Sequence, residues 1–129
     1  MGAQRQLADR QRLAGWGWGS TTEDLVAFAT ALRSGVLLKP ETVALITAPH
    51  GDMTGTGMLY GYGFTVSHGA AGKRVYGHAG GFPGVGALFE VYEDRGYVLA
   101  VLSNITNGAQ EVGDGWRDLL RRISPGEAR

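Results

Sequence analysis

A chain of 129 residues is long enough for one hydrophobic core, and at that size it buries roughly two-thirds of its unfolded surface. Apolar residues at 43% and charged residues at 19% exclude a disordered polyelectrolyte, and twelve basic against twelve acidic side chains leave no net field to draw in nucleic acid or an anionic membrane. With no cysteine there is no disulfide, redox pair or thiolate ligand, and no apolar run nears the ~18 residues that span a bilayer.

Residues 1–13 are mostly polar, with Leu7, Ala8 and Leu13 as their apolar positions, and read as an N-terminal extension, either a short helix or a frayed end. They do not read as a signal peptide, which leaves the compartment open. Ser20-Thr21-Thr22-Glu23 has the capping-box pattern, so a helix is predicted to start there. Leu25, Phe28, Ala29 and Leu32 recur at helical spacing, and Gly35 is placed to end the helix in the left-handed conformation. Pro40 suits the first turn of a second helix, to which Val43, Leu45 and Ile46 supply apolar contacts until Pro49 stops it. A loop from His50 to Leu59 follows.

From Tyr60 the period becomes two. Tyr60, Tyr62, Phe64 and Thr65 lead into Val66, and a turn at 69–72 returns the chain through 73–77 as a hairpin. A second hairpin joins 85–92 to 97–102 across Glu93-Asp94-Arg95-Gly96, whose glycine supplies the positive φ of a tight turn. Residues 98–102 are apolar without alternation, the pattern of a strand covered on both faces. Val112, Trp116, Leu119, Leu120 and Ile123 define a closing helix that Pro125 and Gly126 terminate, with Arg117, Arg121 and Arg122 as a solvated, dipole-favoured basic end. The expected class is α+β, one unit built of an antiparallel sheet with flanking helices.

Little chemistry is visible in the residues alone. His50, His68 and His78 are too scattered for a metal site, no glycine cluster cradles a phosphate, and no cofactor is implied. Asn104-Ile105-Thr106 fits the glycosylation acceptor pattern, a tripeptide that arises often by chance. What remains is Gly77-His78-Ala79-Gly80-Gly81-Phe82-Pro83-Gly84, a histidine among glycines between two strands. Such a passage is either a cleft where backbone N–H groups approach a substrate carbonyl or a surface turn carrying an ordinary histidine.

The passage is followed by a strand, Glu93-Asp94-Arg95-Gly96, a strand, Ser103-Asn104 and a helix containing Trp116. In that order the chain resembles the end of serine β-lactamases of class C type and of related DD-peptidases, penicillin-binding proteins and esterases. There a Lys-Thr-Gly or His-Thr-Gly motif opens an edge strand; here it reads His78-Ala79-Gly80. Ser20-Thr21-Thr22-Glu23-Asp24-Leu25 is similar to the family's Ser-Thr-x-x-Asp-Leu helix start, and Tyr60-Gly61-Tyr62-Gly63-Phe64 to its Tyr-Gly-Leu-Gly-Phe/Trp strand. The likeness runs from about Ala14 to Ile123, so residues 14–129 would be the C-terminal portion of a partial β-lactamase/transpeptidase-like domain.

The resemblance implies that His78 polarises or positions the substrate, that the Gly81 N–H is one of two oxyanion-hole donors, and that Ala79 and Gly80 lie along the substrate. Ala79 lacks the usual hydroxyl, which favours an esterase-like or general hydrolase over penicillin recognition. None of Ser20, Ser34, Ser67, Ser103 or Ser124 has Lys three residues on, and no tyrosine opens a Tyr-x-Asn. The expectation is therefore a C-terminal fragment of a serine hydrolase, acting on a β-lactam, peptide or ester substrate in the complete protein and inactive alone. The alternative is a stand-alone, non-catalytic binding or assembly module that retains the fold. Because the family's N-terminal strands are missing, an edge and an apolar face are left open, and a homodimer or an exchanged segment, with residues 1–14 the moving part, is the expected repair.

Overall fold

The structure, a computed structural model, describes residues 19–52, 55, 58–69 and 72–123. The extension expected over residues 1–13 and the stop at Pro125 and Gly126 lie outside them. The described elements run α1 (Thr22–Arg33), α2 (Pro40–Ile46), β1 (Gly51–Asp52), β2 (Leu59–Tyr60), β3 (Thr65–His68), β4 (Arg74–Phe82), β5 (Val85–Tyr92), β6 (Tyr97–Ser103) and α3 (Gly108–Arg122). The strands form one antiparallel sheet in chain order, each paired with the next. The class is α+β, as the periodicities predict.

The cap of α1 sits one residue later than expected. Thr21 Oγ1 accepts from the Asp24 N–H at 3.1 Å, and Asp24 Oδ2 accepts from the Thr21 N–H at 3.3 Å. This frame brings both Glu23 and Asp24 into the first turn, where the helix dipole favours negative charge. The backbone N–H of Glu23, then the Thr22 and Thr21 hydroxyls, hold the Glu23 carboxyl below its usual range. Gly35 takes a φ of 78° and ends the helix as expected. In α2 the inner positions are Val43 and Ile46, whereas Leu45, expected to make core contacts, is 54% exposed. A helix of seven residues has room for only one buried stripe.

The sheet is covered on both faces. Ala29 and Leu32 of α1 pack with Tyr76, Phe89 and Val91, and Leu25, Val43, Ile46, Phe64 and Val98 close round them. On the opposite face Val75, Tyr92 and Leu120 meet Leu99 and Trp116. The sequence neighbours Val75 and Tyr76, Val91 and Tyr92, and Val98 and Leu99 thus go to opposite sides, the period of two of a strand. This is why β6 reads as an unbroken apolar run.

α3 forms as expected, but in a different phase. Its buried positions are Ala109, Gly113 and Leu120, while Val112, Leu119 and Ile123 are exposed. Small residues let the helix approach the sheet: a Cβ on Gly113 would fall 2.2 Å from Leu88 Cδ2, and Gly86 lies opposite Ala109. Arg117 anchors the helix through an ion pair with Glu90, whose other carboxylate oxygen accepts from the Tyr92 hydroxyl at 2.5 Å. Burial opposes the charge on Arg117, but Glu90 outweighs it and raises the guanidinium pKa.

Candidate active-site edge

The glycine-rich passage is a strand, not a turn between strands. β4 pairs with β5 from Val75↔Tyr92 to Phe82↔Val85, and the reversal needs only Pro83 and Gly84, with Gly84 at φ 80°. On its other side β4 pairs with β3 only as far as Thr65↔Gly77. Residues 78–81 therefore form an edge that no described strand covers. The Gly77 carbonyl accepts from Thr65 Oγ1 at 3.0 Å, so the backbone at Gly77 faces β3. The period of two turns the backbone groups of Ala79 and Gly81 to that same side, beyond the end of β3.

Gly77 is needed where it stands, because an added Cβ would lie 1.8 Å from the Phe89 carbonyl oxygen. Gly80 has nothing within 4 Å of the same position and faces open space. The strand half that begins at His78 is thus pinned on β5 by a glycine just before it and left open along its outer side.

His78 shares a face with Tyr76 by strand alternation and is exposed. Its Nε2 lies 2.8 Å from the Tyr60 hydroxyl, and the two rings meet edge-on with centroids 5.9 Å apart. Tyr60 is fixed by its backbone. It pairs with Gly51 and Thr65, and its carbonyl accepts from the His50 N–H at 2.8 Å. The next residue packs on the end of α2, where a Cβ on Gly61 would come within 2.3 Å of the Ile46 carbonyl oxygen. The Tyr62 N–H donates to that oxygen at 2.8 Å, and the Tyr62 ring stacks on His50 with centroids 4.4 Å apart. The Tyr-Gly-Tyr-Gly motif is therefore a support for Tyr60.

Ala79, Gly80 and Gly81 line a shallow groove of about 390 Å³ whose far wall is Thr106, Asn107 and Gln110. Thr106 Oγ1 accepts from the Gly84 N–H at 2.7 Å, and Asn107 holds a left-handed φ of 63° at the start of α3. The four residues expected at the site are contiguous on β4. The structure adds Tyr60, Thr106, Asn107 and Gln110, which sequence reading missed; the Asn107-Gly108 turn signal was the one available hint to that wall. A tighter cavity of about 110 Å³ lies on the α3 side, lined by Glu90, Tyr92 and Arg117, whose polar groups satisfy one another. None of residues 78–81 lines it.

Residues 2–122 match the family described as Beta-lactamase. The chain belongs to the β-lactamase family. Among solved structures it is similar to a penicillin binding protein from Bacillus halodurans, with 25% identity and a TM-score of 0.67 over 77% of this chain and 30% of that one. It shares its fold with a D-amino acid amidase from Ochrobactrum anthropi SV3 solved with D-phenylalanine, at 22% identity and a TM-score of 0.59 over 80% of this chain and 36% of the other. The β-lactamase-family chain thus spans about a third of the length of these two proteins. No curated protein matches it. The expected partial β-lactamase/transpeptidase-like architecture is the one observed, and no described helix is long and apolar enough to cross a membrane.

Proposed function

We propose that this chain is one wall of the active site of a serine β-lactamase-like hydrolase, with the nucleophile and general base supplied by protein beyond it. The observation that carries this reading is the edge of β4 that opens at His78 and that no described strand covers. An extended substrate lies against such an edge as an added strand, its carbonyl near the Gly81 N–H, which takes up the negative charge that develops on oxygen. His78 orients the substrate from the other side, with Ala79 and Gly80 beneath it. The missing hydroxyl at Ala79 favours an esterase-like or general hydrolase specificity over penicillin recognition.

Because the sequence contains no Ser-x-x-Lys, the 129-residue chain alone forms no acyl-enzyme. The test is a nitrocefin and p-nitrophenyl ester assay of this chain beside the extended gene product, with intact mass measured after each. No burst and no adduct are expected from the chain, and turnover from the extended protein. A stoichiometric covalent adduct on the chain overturns the reading.

A second reading, a stand-alone assembly module, is favoured by one observation. Leu102, Ile105, Val112, Leu119 and Ile123 are all exposed. Under this reading a second copy of the chain covers the outer side of β6.

A further inference from the structure

We propose that Tyr60 is a positioning residue that donates its hydroxyl hydrogen to Nε2 of His78 and so holds the uncharged imidazole as the Nδ1–H tautomer. Nδ1–H is then the ring nitrogen that Tyr60 does not engage and the one available to a substrate oxygen. The proposal rests on the reading of His78 as part of the site. Its first test does not.

A contact of 2.8 Å between Tyr60 Oη and His78 Nε2 can be made in two ways, phenol to nitrogen or N–H to phenol oxygen. A phenol, with an ordinary pKa of about 10, is a much better donor than a neutral imidazole N–H, and an imidazole nitrogen, whose conjugate acid titrates at about 6.5, is a much better acceptor than a phenol oxygen. The first arrangement pairs the better donor with the better acceptor. It is also the one the backbone prepares. Tyr60 is pinned between Gly51 and Thr65, with the next turn fastened to the Ile46 carbonyl, which fixes the backbone from which its ring reaches the imidazole. A free imidazole modestly prefers the Nε2–H form, so Tyr60 reverses the default.

The consequence is chemical. The lysine of a Lys-Thr-Gly motif offers its hydrogen bond as a cation. A neutral Nδ1–H offers one without a charge. The phenol biases the ring toward the tautomer that donates from Nδ1.

Long-range nitrogen–proton correlation spectra of the 129-residue chain at mildly alkaline pH read the tautomer directly. A protonated Nδ1 and an acceptor-type Nε2 are expected at His78, shifting to mostly Nε2–H in Tyr60→Phe. An Nε2–H form in the unaltered chain, or one unchanged by Tyr60→Phe, overturns the proposal, and the first of these needs no variant to fold. In the extended gene product Tyr60→Phe should lower kcat/KM by roughly tenfold, the loss of about one hydrogen bond. An unchanged kcat/KM in Tyr60→Phe, where His78→Ala lowers it, also overturns it. If the spectra show Nδ1–H while His78→Ala leaves turnover unchanged, the tautomer stands and the functional reading of His78 falls.

Discussion

Tyr92 and His78 lie in one sheet, the first buried against Glu90 and the second exposed beside Tyr60. Burial first, then the hydrogen bond and charge of Glu90, hold the Tyr92 phenol well above its usual range, and burial also raises that of Tyr76. Unfolded, both titrate at about 10. The folded chain therefore keeps protons that the unfolded chain releases. The stability this contributes is whole below about pH 10 and is lost as pH rises toward the folded values. Urea midpoints measured from neutral to strongly alkaline pH should fall, and fall less steeply in Tyr92→Phe. At neutral pH that variant should cost about 1–2 kcal/mol, because Glu90 loses a donor. A variant with the unaltered slope removes Tyr92 from the account. At His78 the expectation concerns rate: His78→Ala in the extended protein should lower turnover by roughly 10² or more, as loss of a preorganised polar group does. Steady-state kinetics on a p-nitrophenyl ester decide it, and unchanged turnover makes His78 a surface residue.

Among the elements, β4 is the one on which fold and site depend together. Gly77→Ala drives a methyl into the Phe89 carbonyl and should destabilise by about 3 kcal/mol or more, whereas Gly80→Ala meets open space and should melt close to the unaltered chain. Thermal unfolding of the two side by side tests it, and equal melting temperatures refute the close approach. The same strand marks where sequence reading stops. α1 and the β5–β6 hairpin are legible because their apolar spacing and their closing glycines, Gly35 and Gly96, agree. The second half of β4 is not, since Gly80 and Gly81 carry no strand preference of their own and are extended only because β5 pairs with them. The phase of α3 is hidden for a related reason: large side chains announce a helix, but Ala109 and Gly113 decide which side meets the sheet. Of the site, His78, Ala79, Gly80 and Gly81 could be named from resemblance. Tyr60 meets His78 only through the register of β2, β3 and β4, which no local pattern encodes.

At the scale of the molecule the outer side of β6 is open among the described residues, and its central run from Val98 to Leu102 has no lysine or proline to discourage pairing. The helices over it are charged in a matching way. Arg33 of α1 bonds the Gly96 carbonyl beside the start of β6, which leaves Glu23 and Asp24 toward its end. α3 runs from Gly108 beside Ser103 to Trp116 against Tyr97, with Glu111 early and Arg121 and Arg122 late. Antiparallel pairing of β6 with a second copy sets the acidic end of each helix against the basic end of its counterpart. Light scattering should therefore give about twice the 13.7 kDa of one chain, falling toward it in Leu102→Lys; a mass of one chain at every concentration defeats the dimer. The chain-order sheet has a last consequence, for assembly in time. Every pairing joins a strand to the one before it, so the ladder can zip up from hairpins across short loops, at little cost in loop-closure entropy. Such a topology favours rapid folding driven by local contacts.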